Sequence, residues 1–116
     1  MPKSARIIID HRVAELEGIN FKLLNSKKKL LQAAANITEA LQLTVVNSFV
    51  HRFKPHGISL VLVISQSHLA IHTWPEFGYL HMDVLSCSQN TRLEKLAEVL
   101  KKEFSPTKIR TREISY

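Results

Sequence analysis

The sequence predicts an α+β fold, a two-layer sandwich in which two helices pack on one face of an antiparallel sheet. Two segments repeat their apolar residues at helical spacing, and six others are rich in β-branched residues or alternate like strands. Turn signals between the middle segments leave room only for hairpin-like connections, which make successive strands antiparallel. The predicted element order is therefore β-α-β-β-β-β-α-β.

The first strand and the first helix are predicted from the N-terminal third of the chain. Ala5–Val13 is rich in β-branched residues and predicts a strand. Asn25 and Ser26 are residue types that cap helices, and a helix is predicted behind them from Lys27 to Leu41. Its apolar face consists of Leu30, Leu31, Ala34, Ile37, Ala40 and Leu41.

Four predicted strands fill the middle of the chain: Leu43–Phe53, Ile58–Ser65, His68–Trp74 and Tyr79–Ser86. A second amphipathic helix is predicted from about Thr91 to Phe104, before Pro106. The alternating segment Lys108–Ile114 predicts the last strand. Because the strand ISLVLVIS is apolar at nearly every position, we expect both of its faces to be covered, one by the helices and the other by a second copy in a homodimer.

Composition and charge restrict the class of protein. The 116 residues are 45% hydrophobic and 22% charged, which predicts one globular domain over 1–116 rather than a disordered chain. No apolar run reaches membrane-spanning length, the N-terminal segment does not resemble a secretory signal, and Cys87 is a lone cysteine. We therefore expect a cytoplasmic protein that does not bind a membrane.

The net charge of +6 and the lysine runs permit nucleic-acid binding. However, the runs fall on the polar faces of the predicted helices, where solvation explains them, and no nucleic-acid-binding motif is present. We therefore expect no nucleic-acid partner.

Chemistry-bearing side chains are concentrated in the segment from Gln66 to Cys87. A metal site could use its three histidines and the cysteine, but the tight Cys and His pairs of structural zinc sites are missing, so we expect no metal. A Cys–His nucleophile pair, Cys87 with His72 or His81, is chemically possible and lacks further support. His81 and Asp83 share one face of their strand and could face solvent or a dimer partner.

A fourth interpretation rests on a resemblance. The segment QSHLAIHTWPEFGY, residues 66–79, is similar to the pattern ESHLxIHTWPEYGY of the bacterial and archaeal pyruvoyl-dependent S-adenosylmethionine decarboxylases. Asp83 and Cys87 follow it as they do in that family. Upstream, HRF at 51–53 and PHGIS at 55–59 match the family segment HRFxPxGxS. The resemblance covers about residues 5–104.

The resemblance implies that the chain makes its own cofactor. The Ser67 hydroxyl would attack the carbonyl carbon of Gln66, and elimination would leave a pyruvoyl group on a new chain 67–116, separated from chain 1–66. In turnover this ketone would form a Schiff base with the substrate amine and accept the electrons released as CO₂ departs. The product would be the aminopropyl donor for polyamine (spermidine) biosynthesis.

The family pattern also implies roles for individual side chains. His72 stands at the position of the processing base and Cys87 at that of the proton donor. Ser59 matches a family serine that lies near the reacting centre. Phe53, Trp74 and Glu76 are expected to contact the substrate, through aromatic faces for the adenine or sulfonium and a carboxylate for ribose hydroxyls or positive charge.

The chain departs from the family pattern at three positions: Gln66 replaces Glu, Phe77 replaces Tyr, and Ser88 replaces Gly. Two alternatives therefore stay open. The same machinery could act on arginine or ornithine, because specificity depends on a few pocket contacts. A homologue that never cleaves itself could instead have a binding or regulatory role.

Overall fold

The computed structural model describes residues 7–116 and confirms the predicted fold class. Six strands form one sheet: β1 (Asp10–Glu17), β2 (Val45–Arg52), β3 (Ile58–Ile64), β4 (Ser67–Trp74), β5 (Tyr79–Ser86) and β6 (Lys108–Ile114). Three helices accompany them: α1 (Phe21–Leu24), α2 (Lys27–Ala40) and α3 (Leu96–Phe104). The strands are ordered β2-β3-β4-β5-β1-β6, and every neighbouring pair is antiparallel.

The hydrophobic core lies between α2, α3 and one face of the sheet. Alternate residues of each central strand point into this core, which follows from the two-residue period of a strand. Leu60, Ile71 and Met82 are fully buried there. The other face of the sheet, here called the open face, has no element of the described residues packed on it.

The apolar strand β3 was expected to be covered on both faces, but the open face leaves one of them uncovered within a single chain. In β3, Leu60 and Leu62 face the core, whereas Val61 and Val63 face outward. Val63 is 39% exposed. Phe49 on β2, which lies opposite Val61, is 59% exposed. One chain therefore covers only one side of the apolar strand.

Two predicted elements, the first strand and the last helix, have wrong boundaries. The first strand begins at Asp10 and runs to Glu17, not from Ala5 to Val13, and Ala5 itself lies outside the described residues. The last helix begins at Leu96 rather than Thr91, because a single 3₁₀ turn, Leu93–Lys95, precedes it. Helical periodicity does not distinguish these two helix types over one turn.

The short helix α1 is absent from the predicted element order. The side chain of Asn20 caps it by accepting hydrogen bonds from the backbone N–H groups of Lys22 and Leu23. Four residues are too few to show an apolar period, so only the cap could have indicated it. None of the helices over 7–116 is long and apolar enough to cross a membrane.

Candidate active site

The tight turn between β3 and β4 carries the first group of predicted site residues. Ser67 opens β4, and its hydroxyl contacts the carbonyl oxygen of Gln66. The thiol of Cys87, just beyond β5, donates to the same carbonyl oxygen at 2.9 Å. The backbone N–H of Cys87 donates to the Ser67 hydroxyl at 3.1 Å. The peptide bond between Gln66 and Ser67 is therefore in contact with both a nucleophile, the Ser67 hydroxyl, and a proton donor, the Cys87 thiol.

The backbone at this turn is strained. Gln66 has φ of 65°, in the left-handed region that costs a side chain with a Cβ about 1–2 kcal/mol. Only two residues, Ser65 and Gln66, connect the paired positions Ile64 and Ser67, and of these two only Gln66 has a positive φ. Such strain persists where the surrounding structure determines it, and it often accompanies function.

A second group lies on the open face. The Ser59 hydroxyl on β3 and the Nδ1 atom of His72 on β4 share a hydrogen bond of 2.7 Å. The pKa of His72 is lowered from its ordinary value, first by burial and then by the nearby His81, while Asp83 opposes the shift. His72 is therefore favoured in its neutral form, which is the form that can accept a proton.

These two groups do not meet within one chain. Ser67 and His72 are five residues apart on the extended strand β4, a separation of roughly 16 Å at the usual rise per residue. A base must come within hydrogen-bond reach of the proton that it removes.

A cavity of about 470 Å³ adjoins the second group. It is lined by Ser59 and His72 together with Phe53, Trp74 and Glu76, the three residues predicted to contact the substrate. Phe53 and Trp74 are 50% and 41% exposed, so their ring faces are not consumed by the core. The structure thus brings the predicted contact residues together at one site.

The histidine-rich alternatives do not gather into a site. His72 and His81 are opposite each other on β4 and β5, but Cys87 lies six residues from His81 at the far end of β5. His68 instead approaches Asp83, which also accepts a 2.6 Å hydrogen bond from His11. Between residues 7 and 116, no cluster of three or more His, Cys, Asp or Glu side chains is arranged to hold a metal.

The sequence argument missed several cavity residues, among them His56 and Thr73. His56, in the turn before β3, lines the cavity and places its Nδ1 atom 3.1 Å from a Glu76 carboxylate oxygen. The turn signal around Pro55 and Gly57 predicted only a loop. The two residues are separated by 20 positions, so local spacing gave no indication of the pair.

Comparison with known proteins identifies the family of this chain. The family model described as S-adenosylmethionine decarboxylase matches residues 10–115. The chain is 31% identical to the S-adenosylmethionine decarboxylase proenzyme of Archaeoglobus fulgidus over 104 residues, which cover 90% of this chain and 93% of that protein. It is 41% identical to the corresponding proenzyme of Thermosipho africanus over 97 residues, covering 80% and 75% of the two chains.

The fold has a solved counterpart in the crystal structure of the adenosylmethionine decarboxylase from Aquifex aeolicus. The TM-score is 0.84 at 24% sequence identity, and the match covers 95% of this chain and 91% of that one. At this identity the structural similarity supports the fold alone. The family is shown by the sequence comparisons. The chain belongs to the S-adenosylmethionine decarboxylase family.

Proposed function

We propose that this chain is a proenzyme that cleaves itself between Gln66 and Ser67 and then decarboxylates S-adenosylmethionine, yielding the aminopropyl donor for spermidine biosynthesis. One observation carries the proposal. The Ser67 hydroxyl lies against the Gln66 carbonyl group, whose oxygen also accepts a hydrogen bond from the Cys87 thiol. An ordinary strand serine would not need a thiol donor on the preceding carbonyl.

The arrangement suits an acyl shift. The Ser67 oxygen would form an ester with the carbonyl carbon of Gln66 as the peptide C–N bond breaks. A donor on the carbonyl oxygen stabilises the negative charge that develops there, and the Cys87 thiol is such a donor. Removal of the Ser67 Cα proton would then break the Cβ–O bond and release chain 1–66 with a free carboxylate. Uptake of one water and loss of one ammonia would leave a pyruvoyl group at residue 67.

The residues around Ser67 fit that group. When formed, the pyruvoyl ketone supplies an electron sink for decarboxylation. Cys87 would remain beside it, with its backbone N–H near the position of the Ser67 oxygen. A protonated thiol at this place can return a proton to the substrate carbon after CO₂ departs.

The cavity beside Ser59 and His72 would hold the rest of the substrate. The exposed rings of Phe53 and Trp74 can stack on an adenine or contact a sulfonium. The carboxylate of Glu76 can accept hydrogen bonds from ribose hydroxyls. The names of the curated relatives favour S-adenosylmethionine over arginine or ornithine, neither of which has an aromatic base or a sugar.

A homodimer reconciles this cavity with the cleavage site. The two groups lie at opposite ends of β4, so a two-fold axis crossing β4 near Ala70 would place the His72 of one copy over the Ser67 of its partner. The open face suits such packing because Ala70 is small and Phe49, Val61 and Val63 expose apolar surface. Each site would then take Ser67 and Cys87 from one copy, and Ser59 and His72 from the other.

Intact-mass spectrometry of the denatured protein tests the cleavage. We expect two chains, residues 1–66 and 67–116, the second lacking a free amino terminus. Ser67→Ala should give a single species of 13.2 kDa. A wild-type chain that stays intact on long incubation would contradict the proposal and favour the non-cleaving alternative. CO₂ release from S-adenosylmethionine, arginine and ornithine then identifies the substrate.

A further inference from the structure

We propose that His56 is a positioning residue, which holds the Glu76 carboxylate in the orientation that binds the substrate's sugar. The inference deepens the proposed function and rests on it. It concerns a side chain at a position that the family pattern HRFxPxGxS leaves unspecified, so the resemblance assigns it no role.

The turn that carries His56 is fixed on several sides. The Phe53 N–H donates to the Gly57 carbonyl at 2.8 Å, which closes the turn. The Gly57 N–H donates to the Asn25 side chain at 3.0 Å, which ties the turn to the helical layer. The Phe21 and His56 rings pack edge to face, with centroids 5.5 Å apart. The imidazole is therefore held rather than free to rotate into solvent.

Glu76 is also held close to the cavity by its backbone. It sits in a 3₁₀ turn, Pro75–Phe77, directly after β4, and Gly78 closes this turn with φ of 61°. That positive φ strains any other residue, and a Cβ at position 78 would also come within 3.1 Å of the Ile19 carbonyl oxygen, so both features favour glycine. The backbone is thus fixed, while the Glu76 side chain, 38% exposed, keeps freedom to turn.

The side chains of His56 and Glu76 are in close contact but do not form a hydrogen bond. His56 Nδ1 lies 3.1 Å from Glu76 Oε1, yet the geometry falls short of a hydrogen bond. Among residues 7–116, His56 Nδ1 is the one fully buried side-chain nitrogen or oxygen without a hydrogen-bond partner. A small rotation of the Glu76 carboxylate would satisfy it, and an unsatisfied buried polar atom favours that rotation.

A hydrogen bond between His56 and Glu76 would make the Glu76 carboxylate a better hydrogen-bond acceptor for the hydroxyl groups of a sugar. A donor on one carboxylate oxygen fixes the plane of the group and leaves the other oxygen directed at the cavity that Phe53 and Trp74 line. Orienting a group before the ligand arrives removes part of the entropy that binding would otherwise lose. We therefore expect His56 to act on substrate affinity rather than on the chemical step.

A comparison of His56→Leu with His56→Asn tests the role. Leucine removes the Nδ1 donor, whereas the asparagine amide nitrogen can replace it. We expect His56→Leu to raise KM for S-adenosylmethionine about 5- to 10-fold, the effect of one lost hydrogen bond, with kcat within about twofold. His56→Asn should stay within about twofold of the wild-type KM. Equal KM values in all three proteins would overturn the inference.

A double-mutant cycle separates positioning from a direct or structural role. In a Glu76→Ala background, His56→Leu should have no further effect on KM, because the group that it orients is gone. A full effect in that background would overturn the inference. Intact mass and wild-type CO₂ release, measured alongside, report failure of the proposed function separately. If the wild-type chain releases no CO₂, calorimetric binding of adenosine to the same variants replaces KM, and equal binding by all of them would overturn the inference.

Discussion

His72 and His81 occupy directly opposite positions on β4 and β5, and both side chains point to the open face of the sheet. The pair continues a row of polar residues across the sheet, with Ser59 beyond His72 and Glu15 beyond His81. The histidine that the family pattern places at the site therefore has a second titratable ring as its immediate neighbour, at a position that no motif specifies.

The neighbour predicts a pH effect on self-cleavage, the step in which His72 is expected to act as the base. Burial lowers the pKa of His72 first and His81 lowers it further, so removing His81 raises that pKa toward its ordinary value. If neutral His72 is the processing base, His81→Ala moves the acid limb of the self-cleavage rate to higher pH. The other groups near His72 are Asp83 on β5 and the His56–Glu76 pair in the cavity, and all stay unchanged in this variant.

His81→Asp provides a graded comparison for this measurement. A carboxylate opposite His72 favours the imidazolium, so the acid limb should lie at still higher pH than in His81→Ala. The profiles are read by mass spectrometry, as the rate at which uncleaved chain is converted to fragments 1–66 and 67–116 between about pH 5 and 9. Identical acid limbs in the wild type and both variants would mean that His72 is not the group whose titration controls the reaction.

The composite site predicts complementation between two inactive variants. Ser67→Ala keeps His72, and His72→Ala keeps Ser67, so a mixed dimer rebuilds one complete site from the two copies. We expect neither variant to cleave alone. When the two are co-expressed in equal amounts, about half of the His72→Ala chains should be cut, and about a quarter of the wild-type activity should return.

Mass spectrometry distinguishes the two chains in that mixture. The Ser67→Ala chain should stay whole while fragments 1–66 and 67–116 come from the His72→Ala chain. Cleavage of His72→Ala expressed alone would show that its imidazole is not the processing base. A mixture with no cut chains, in which sedimentation shows dimers, would contradict the sharing of sites across the interface.

The buried hydroxyl of Thr73 predicts a loss of stability. It accepts from the Ile58 N–H at 2.9 Å and donates to the Leu24 carbonyl at 2.8 Å, joining β4 to β3 and to α1 beside the cavity. Thr73→Val preserves the shape but leaves both buried backbone groups unpaired, which should lower the free energy of unfolding by about 2–4 kcal/mol. Urea unfolding in the uncleaved Ser67→Ala background measures this.

Thr73→Ser is the matched control, since it keeps the hydroxyl and removes one methyl group. It should lose about 1 kcal/mol, the usual effect of one buried methyl. Equal losses in the two variants would assign the stability of this junction to packing rather than to the hydrogen bonds.

The sequence predicted the fold and the site residues, but it did not predict every contact within the site. Periodicity was sufficient for the sheet, because core positions such as Leu69 and Ile71 alternate with open-face positions such as Ala70. The extended strand between Ser67 and His72 already implied that the two side chains lie apart, but order along one chain does not show which copy would complete each site. The His56–Glu76 contact joins two turns, and turn residues carry no period from which such a contact can be inferred.

The strain at Gln66 gives a last prediction, made in the Ser67→Ala background so that cleavage does not interfere. Its φ of 65° suits glycine, and its side-chain oxygen is 3.8 Å from the Cys87 sulfur, a weak contact to lose. Gln66→Gly should therefore raise the free energy of unfolding by about 1 kcal/mol, and Gln66→Val should lower it by about as much, because a β-branched side chain fits this region worst. Urea unfolding of the three proteins gives the order. If the glycine variant is no more stable than its parent, residue 66 is not strained in the hairpin. Backbone strain at this residue would then contribute nothing to cleavage.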